Sequence, residues 1–253
     1  MTLENVFGLN GERAVITGGG SGLGQAIAKC FIAAGAEVLL VGTDADKLKQ
    51  TCSELGEAAS HAVFDVTQFN EAQEFAALIA EQHGAVSILV NNAGNTIKKP
   101  VPDMTPDDFS AVMNVHVGGA YALSRAFLPQ IQQRKGSVLF TASMSSFLGI
   151  PNVIGYSAAK SAYVGMVRAM ATEFAPLDVR VNGVAPGWID TALLRQAIAN
   201  DRERERKINE RIPMGRFGEG SDIGWAMTYL ASKAATYVTG HIIVVDGGAL
   251  HGF

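Results

Sequence analysis

Residues 16–24 read ITGGGSGLG, beginning inside the apolar run RAVIT at 13–17. Glycines placed there let the backbone turn tightly and come close to a ligand. A helix started from the turn aims its free N–H groups and positive dipole end at that ligand. A pyrophosphate suits such a turn. The spacing is TGxxxGxG, with Gly18, Gly22 and Gly24, rather than GxGxxG. Glycine turns also serve packing alone, so the weight of this one comes from its place after a strand and before a helix.

Outward from it, RAVIT (13–17), EVLLV (37–41), HAVF (61–64), SILVN (87–91), SVLFT (137–141), RVNGV (180–184) and HIIVVD (241–246) predict seven strands. Segments 22–34, 45–55, 68–83, 106–133, 157–175 and 221–231 predict helices between them. This alternation makes the fold class α/β. It predicts a doubly wound, seven-stranded, mostly parallel sheet with helices on both faces. No fixed-period repeat or linker divides the chain, so one domain over 1–253 is expected. Only 187–218 breaks the pattern.

The 253 residues are 48% hydrophobic and 17% charged, enough for a large core and too few charges for disorder. A net charge of −4 gives no basic field, so neither nucleic acid nor an anionic membrane is an expected partner. No apolar run nears the roughly 18–20 residues of a membrane span, and MTLENVFGLNGERAV lacks a signal pattern, which predicts a cytoplasmic protein. Cys30 and Cys52 lie in predicted helices without CxxC spacing and read as structural thiols. His61, His83, His116, His241 and His251 show no ligand spacing such as HExxH, so no metal is expected.

Polar residues follow three strands: Asp65 the third, Asn91 and Asn92 the fourth, Ser143 the fifth. Ligands of open α/β sheets bind beyond the carboxyl ends of strands, so these groups are expected to share a crevice. Helix caps and turns are the alternative use of such residues. YSAAK at 156–160 places Tyr156 and Lys160 four apart, on one helix face. A neighbouring ammonium favours the phenolate and tunes a phenol toward acid–base work. A Tyr packed over a Lys stem gives the same pattern. Ser143 and the glycine turn shift the balance toward chemistry.

Together, TGGGSGLG, Asp65, NNAG at 91–94, Asn114 in VMNVH, Ser143, YSAAK and PGWIDT at 186–191 resemble the short-chain dehydrogenase/reductase family along essentially the whole chain. The resemblance implies a single Rossmann domain that moves a hydride between a nicotinamide and a secondary alcohol or ketone of a small molecule. It makes Tyr156 the acid–base. Lys160 then lowers the tyrosine pKa and holds the nicotinamide ribose. Ser143 bonds the substrate oxygen, with Ser145 and Ser146 as rivals, and Asn114 supports a water-mediated proton relay. The implied cofactor contacts are Gly18, Ser21, Gly22, Leu23 and Gly24, then Thr43, Asp65 and Val66, and Asn92, Ala93 and Gly94. Tyr156 and Lys160 join them, as do Pro186, Gly187, Ile189 and Thr191. Residues 187–218 become a substrate lid. A homotetramer is implied through 106–133, 157–175 and the VDGGALHGF end.

Cofactor choice rests on LLVGTDADKL. The family's usual Asp falls at Gly42 and the usual Arg of NADP users at Thr43, with Asp44 next. With an acid nearby and no basic group at those positions, NAD is favoured and NADP stays open. NDRERERKINER (200–211) reads as a solvated helix face, although Arg195, Arg211 and Arg216 are placed to reach inward, as are Lys98 and Lys99. NTIKKP, ASMSSFLG and RIPMGRFGE are similar to the gluconate and keto-deoxygluconate dehydrogenase branch, which implies a sugar-acid substrate. A 3-oxoacyl thioester reductase shares most of the motifs. A non-catalytic nucleotide-binding sensor is the reading from another class, and the intact Asn114, Ser143, Tyr156 and Lys160 set argues against it.

Overall fold

The computed structural model describes residues 2–192, 194, 195, 199 and 202–252. The strands are β1 (Arg13–Thr17), β2 (Glu37–Gly42), β3 (Ala59–Val63), β4 (Ile88–Asn91), β5 (Ser137–Thr141), β6 (Arg180–Pro186) and β7 (Ile242–Val245). They form one sheet in the order β3-β2-β1-β4-β5-β6-β7, with every neighbouring pair parallel. The chain runs outward from β1 to β3, then returns to place β4 on the other side of β1. The crevice at that reversal is where such sheets bind ligands.

Helices α1 (Leu3–Phe7), α2 (Gly22–Ala33), α3 (Ala45–Leu55), α4 (Ala72–His83), α5 (Pro106–Met113), α6 (Gly119–Gln133), α7 (Ile154–Phe174), α8 (Arg202–Arg211) and α9 (Gly220–Ala231) accompany the sheet. Strand side chains alternate between its faces, so each strand feeds two cores. Val15, Leu39, Leu89 and Phe140 pack with Phe75 of α4, Phe127 of α6 and Tyr163 of α7. Ile16, Leu40, Val90 and Leu139 pack with Phe31 of α2 and Met227 of α9 on the other side. Burial on both faces explains the strands' lack of polar alternation. Among the described residues no helix is long and apolar enough to cross a membrane.

Two differences from the sequence expectation have physical causes. β3 lies at 59–63 instead of 61–64. It is a partly exposed edge strand whose register is set by pairing with β2 rather than by burial of its own ASHAV side chains. The expected helix over 106–133 is interrupted by a π-helical turn at Asn114–Gly118, in which the Gly119 N–H reaches the Asn114 carbonyl. π turns inside helices occur often at functional sites.

The segment 187–218 holds a bridge and a cluster of its own. Ile189 bridges Gly218, and Trp188, Leu194 and Phe217 pack with Ile208, Ile212 and Ala249 in a small separate cluster. Residues 193, 196–198, 200 and 201 of the expected lid lie outside the described residues.

Candidate active site

The glycine turn is built for close approach. Gly18 and Gly22 have φ of +64° and +55°, a region costly for side-chained residues. A Cβ on Gly24 would lie 2.2 Å from the Gly18 carbonyl oxygen, so only glycine lets α2 begin this near the strand end. Ser21 is the N-cap of α2 but makes no side-chain capping bond, leaving the first-turn N–H groups without that partner. Such groups, at the positive end of a helix, suit a pyrophosphate. Beside them is a cleft of about 430 Å³ lined by Gly18, Ser21, Thr43, Asp65, Val66, Ala93 and Gly94, all expected cofactor contacts. The chain therefore presents a site that fits a dinucleotide.

Of the other expected contacts, Leu23 follows Gly22 in the first turn of α2. Pro186 ends β6, and the Gly187 N–H donates to the Val245 carbonyl at 3.0 Å. Thr191 Oγ1 accepts from the Leu194 N–H at 3.2 Å. Ile189 is buried in the core against the α2 side of the sheet. Asp65 both lines the cleft and makes a turn, its Oδ1 accepting from the Thr67 N–H at 2.9 Å and from the Thr67 hydroxyl at 2.8 Å.

Asn92 ties three strand ends together. Its Nδ2 donates to the Thr17 carbonyl at 2.9 Å, and its Oδ1 accepts from the Thr141 hydroxyl at 3.1 Å. Asn91 does not join the crevice. It is buried, with Nδ2 donating to Ser124 Oγ at 3.0 Å, because strand alternation turns it toward α6.

Tyr156 stands in the first turn of α7, with Lys160 one turn on. The Lys160 ammonium is buried and donates to the Thr141 carbonyl at 2.5 Å. It lies 5.6 Å from the centre of the Tyr156 ring and 4.8 Å from that of Tyr163. Burial pulls the Lys160 pKa down to about 7. Burial likewise pushes the Tyr156 phenol above its ordinary value, while a hydrogen bond with Ser143 pulls the other way. The expected lowering of the phenol by Lys160 is thus not the governing effect in the free chain, because desolvation dominates both groups.

Ser143 Oγ accepts from the Ser145 N–H at 3.1 Å, capping the short turn at Met144–Ser146. The Ser146 hydroxyl donates to the Lys160 carbonyl at 2.8 Å, and Ser145 Oγ is buried without a partner among the described residues. Asn114, at the start of the π turn, keeps an exposed side chain.

At the far end of the cleft, Asp44 caps α3 and pairs with Lys47 at 3.0 Å. Positions 42–44 carry no basic group, but the first turn of α3 brings Lys47 into the same cleft lining as Thr43. Of the expected substrate cations, Lys99 pairs with Asp108 at 2.7 Å, Arg195 with Asp190 at 2.5 Å and Arg216 with Asp222 at 3.2 Å. Lys98 is exposed and has no ion pair among the described residues.

Sequence reasoning missed Thr17 and Thr141. Thr17 Oγ1 accepts from the Asn92 and Ala93 N–H groups, each at 2.9 Å, and donates to the Val90 carbonyl at 3.2 Å. Their position as the last residues of β1 and β5 was the available signal. His116 lies against the Tyr156 ring.

The family model described as Enoyl-(Acyl carrier protein) reductase matches residues 18–250. A 2-dehydro-3-deoxy-D-gluconate 5-dehydrogenase of Bacillus subtilis (strain 168) is 35% identical over 98% of both chains. A galactitol 2-dehydrogenase (L-tagatose-forming) of Cereibacter sphaeroides is 39% identical, again over 98% of both. The crystal structure of a gluconate 5-dehydrogenase from Burkholderia cenocepacia J2315, in complex with NADP and tartrate, superposes with a TM-score of 0.93 at 31% identity, covering 100% of each chain. With the glycine turn, the Asn92 junction and the Ser143, Tyr156 and Lys160 group in place, the chain belongs to the short-chain dehydrogenase/reductase family of NAD(P)-dependent oxidoreductases.

Proposed function

We propose that the chain oxidises a secondary alcohol of a sugar acid, of gluconate or keto-deoxygluconate type, and reduces the corresponding ketone in the reverse direction. The observation that carries this reading is the convergence of Ser143, Tyr156 and Lys160 beside the strand ends that Asn92 ties together. As charge grows on the ketone oxygen, the Ser143 hydroxyl donates to it and the Tyr156 phenol delivers its proton. In oxidation the phenolate takes that proton back, and a charged Lys160 favours the phenolate. Asn114, at the π turn, supports the route by which water resupplies the proton. When bound, the nicotinamide supplies or takes up the hydride.

The cofactor reading is NAD first and NADP more weakly. Asp44 already engages Lys47, which leaves no unpaired cation there for an added phosphate. For substrate, two of the relatives named above act on sugar acids, and Lys98 and Arg211 are the expected cations that stay exposed without an ion pair among the described residues, open to a carboxylate. The reading also includes a single domain, with 187–218 as a lid. A homotetramer built through α5 to α7 and the β7 end belongs to it too. The free thiols of Cys30 and Cys52 suit its reducing, cytoplasmic setting.

The test is nicotinamide absorbance during turnover, with both cofactors offered against gluconate-type acids, their keto forms, a sugar alcohol and an acetoacetyl thioester. Sugar-acid turnover with NAD supports the reading. Exclusive thioester reduction with NADPH replaces it with the acyl-thioester reading.

A further inference from the structure

Resting on the assignment of Tyr156 above, we propose that His116 is a positioning residue that fixes the Tyr156 ring against the loop following β4. The π turn directs His116 inward, where it is 1% exposed. Its ring meets Tyr156 edge-on, with centroids 5.6 Å apart and planes at 79°, and the Tyr163 hydroxyl donates to its carbonyl at 3.2 Å. On the other side, Nε2 lies 2.9 Å from the Asn95 carbonyl oxygen and 3.2 Å from the Asn95 nitrogen. A Cβ on Gly94 would come within 2.2 Å of His116 Cε1, so the imidazole sits directly on the NNAG loop. One side chain therefore touches both the acid–base tyrosine and the loop lining the cofactor cleft.

A packing role alone does not account for an imidazole here. Nε2 serves Asn95 in either tautomer, donating to the carbonyl or accepting from the N–H. In both, Nδ1 is buried without a partner among the described residues. An unpaired buried polar atom is costly, and an apolar side chain would fill the space without that cost. The bond at Nε2 is what the imidazole adds. The titratable groups facing it are Tyr156, Tyr163 and Lys160, all on α7. Burial, and then the Lys160 charge, lower the His116 pKa to about 3 and favour the neutral ring.

The test compares His116→Ala and His116→Gln in the full chain. Removing the ring admits water beside Tyr156 and relieves the desolvation that raises its pKa. For His116→Ala, kcat should fall on the order of tenfold or more, as expected when a reacting group is misplaced. The tyrosine-linked limb of kcat/KM should also move to lower pH, with cofactor Kd little changed. His116→Gln, which returns an amide near Nε2, should recover part of kcat. A folded His116→Ala enzyme with wild-type kcat and an unmoved limb, even with a lower Tm, would overturn the proposal. If the alanine variant does not fold, His116→Gln decides. Reduced kcat with unchanged cofactor Kd supports positioning, and wild-type kcat, KM and pH profile reject it. Tyr156→Phe separates the two layers: its inactivity with an unaffected His116 series removes only this inference, whereas its activity removes the function reading as well.

Discussion

The Lys160 ammonium donates to the backbone carbonyl of Thr141 at 2.5 Å, and the Thr141 hydroxyl donates in turn to Asn92 Oδ1 at 3.1 Å. Lysine, β5 and the loop after β4 are thereby held as one unit. Lys160 is buried, and its pKa falls from the ordinary 10.5 to about 7. Between those values the unfolded chain binds more protons than the folded one, so stability rises with pH across the window. The destabilisation is fully present below about pH 7 and fades toward pH 10.5. Urea unfolding should show Lys160→Met gaining stability relative to wild type at about pH 7, by on the order of a few kcal/mol more than at about pH 10. The Thr141 carbonyl left unpaired costs the same at both pH values and cancels. A gap that does not change with pH would contradict the buried-ammonium account.

Thr17→Val should be strongly destabilising for a change of equal size. The Asn92 and Ala93 N–H groups both lose their acceptor, and each unmet buried donor costs about 1–3 kcal/mol. Chemical denaturation measures the loss. A change under about 0.5 kcal/mol, typical of surface substitutions, would mean that water replaces the hydroxyl.

Gly24→Ala tests the turn. Its Cβ would meet the Gly18 carbonyl at 2.2 Å and Asn92 Nδ2 at 2.8 Å, and backbone cannot yield as a side-chain end can. Weaker cofactor binding by titration is expected, about tenfold or more, together with a lower melting temperature. Gly22→Ala meets no atom within 4 Å and suffers only from its φ of +55°, so it should be the milder of the two.

Asp44→Ala should move cofactor preference toward NADP. It removes a carboxylate and releases the Lys47 ammonium, now 3.0 Å from Asp44, to meet an added phosphate. The ratio of kcat/KM for NADP over NAD should rise about tenfold, and Asp44→Ala combined with Lys47→Ala should lose that gain. An unchanged ratio in both variants would remove these residues from cofactor selection.

Much of this was legible in the chain because the physics was local. ITGGGSGLG sits between a strand and a helix, and YSAAK places two side chains one turn apart whatever surrounds them. The seven apolar runs gave the sheet because both its faces are buried. What escaped depended on contacts distant in sequence. Thr17 and Thr141 look like ordinary strand residues until the sheet order brings β1, β4 and β5 side by side. Lys47 is three residues beyond the positions read for cofactor choice, and only the start of α3 brings it into the cleft. Pairing of Lys99, Arg195 and Arg216 with carboxylates could not be read from charge pattern alone.

The central claim is that the Tyr156 phenol moves the proton, and Tyr156→Phe tests it most directly. Turnover with the best substrate of the panel should be followed by nicotinamide absorbance, beside a titration of cofactor binding. The account predicts a loss of kcat of about 10²-fold or more with cofactor affinity nearly unchanged. Turnover within about twofold of wild type would show that another group carries the proton, and the account would fail.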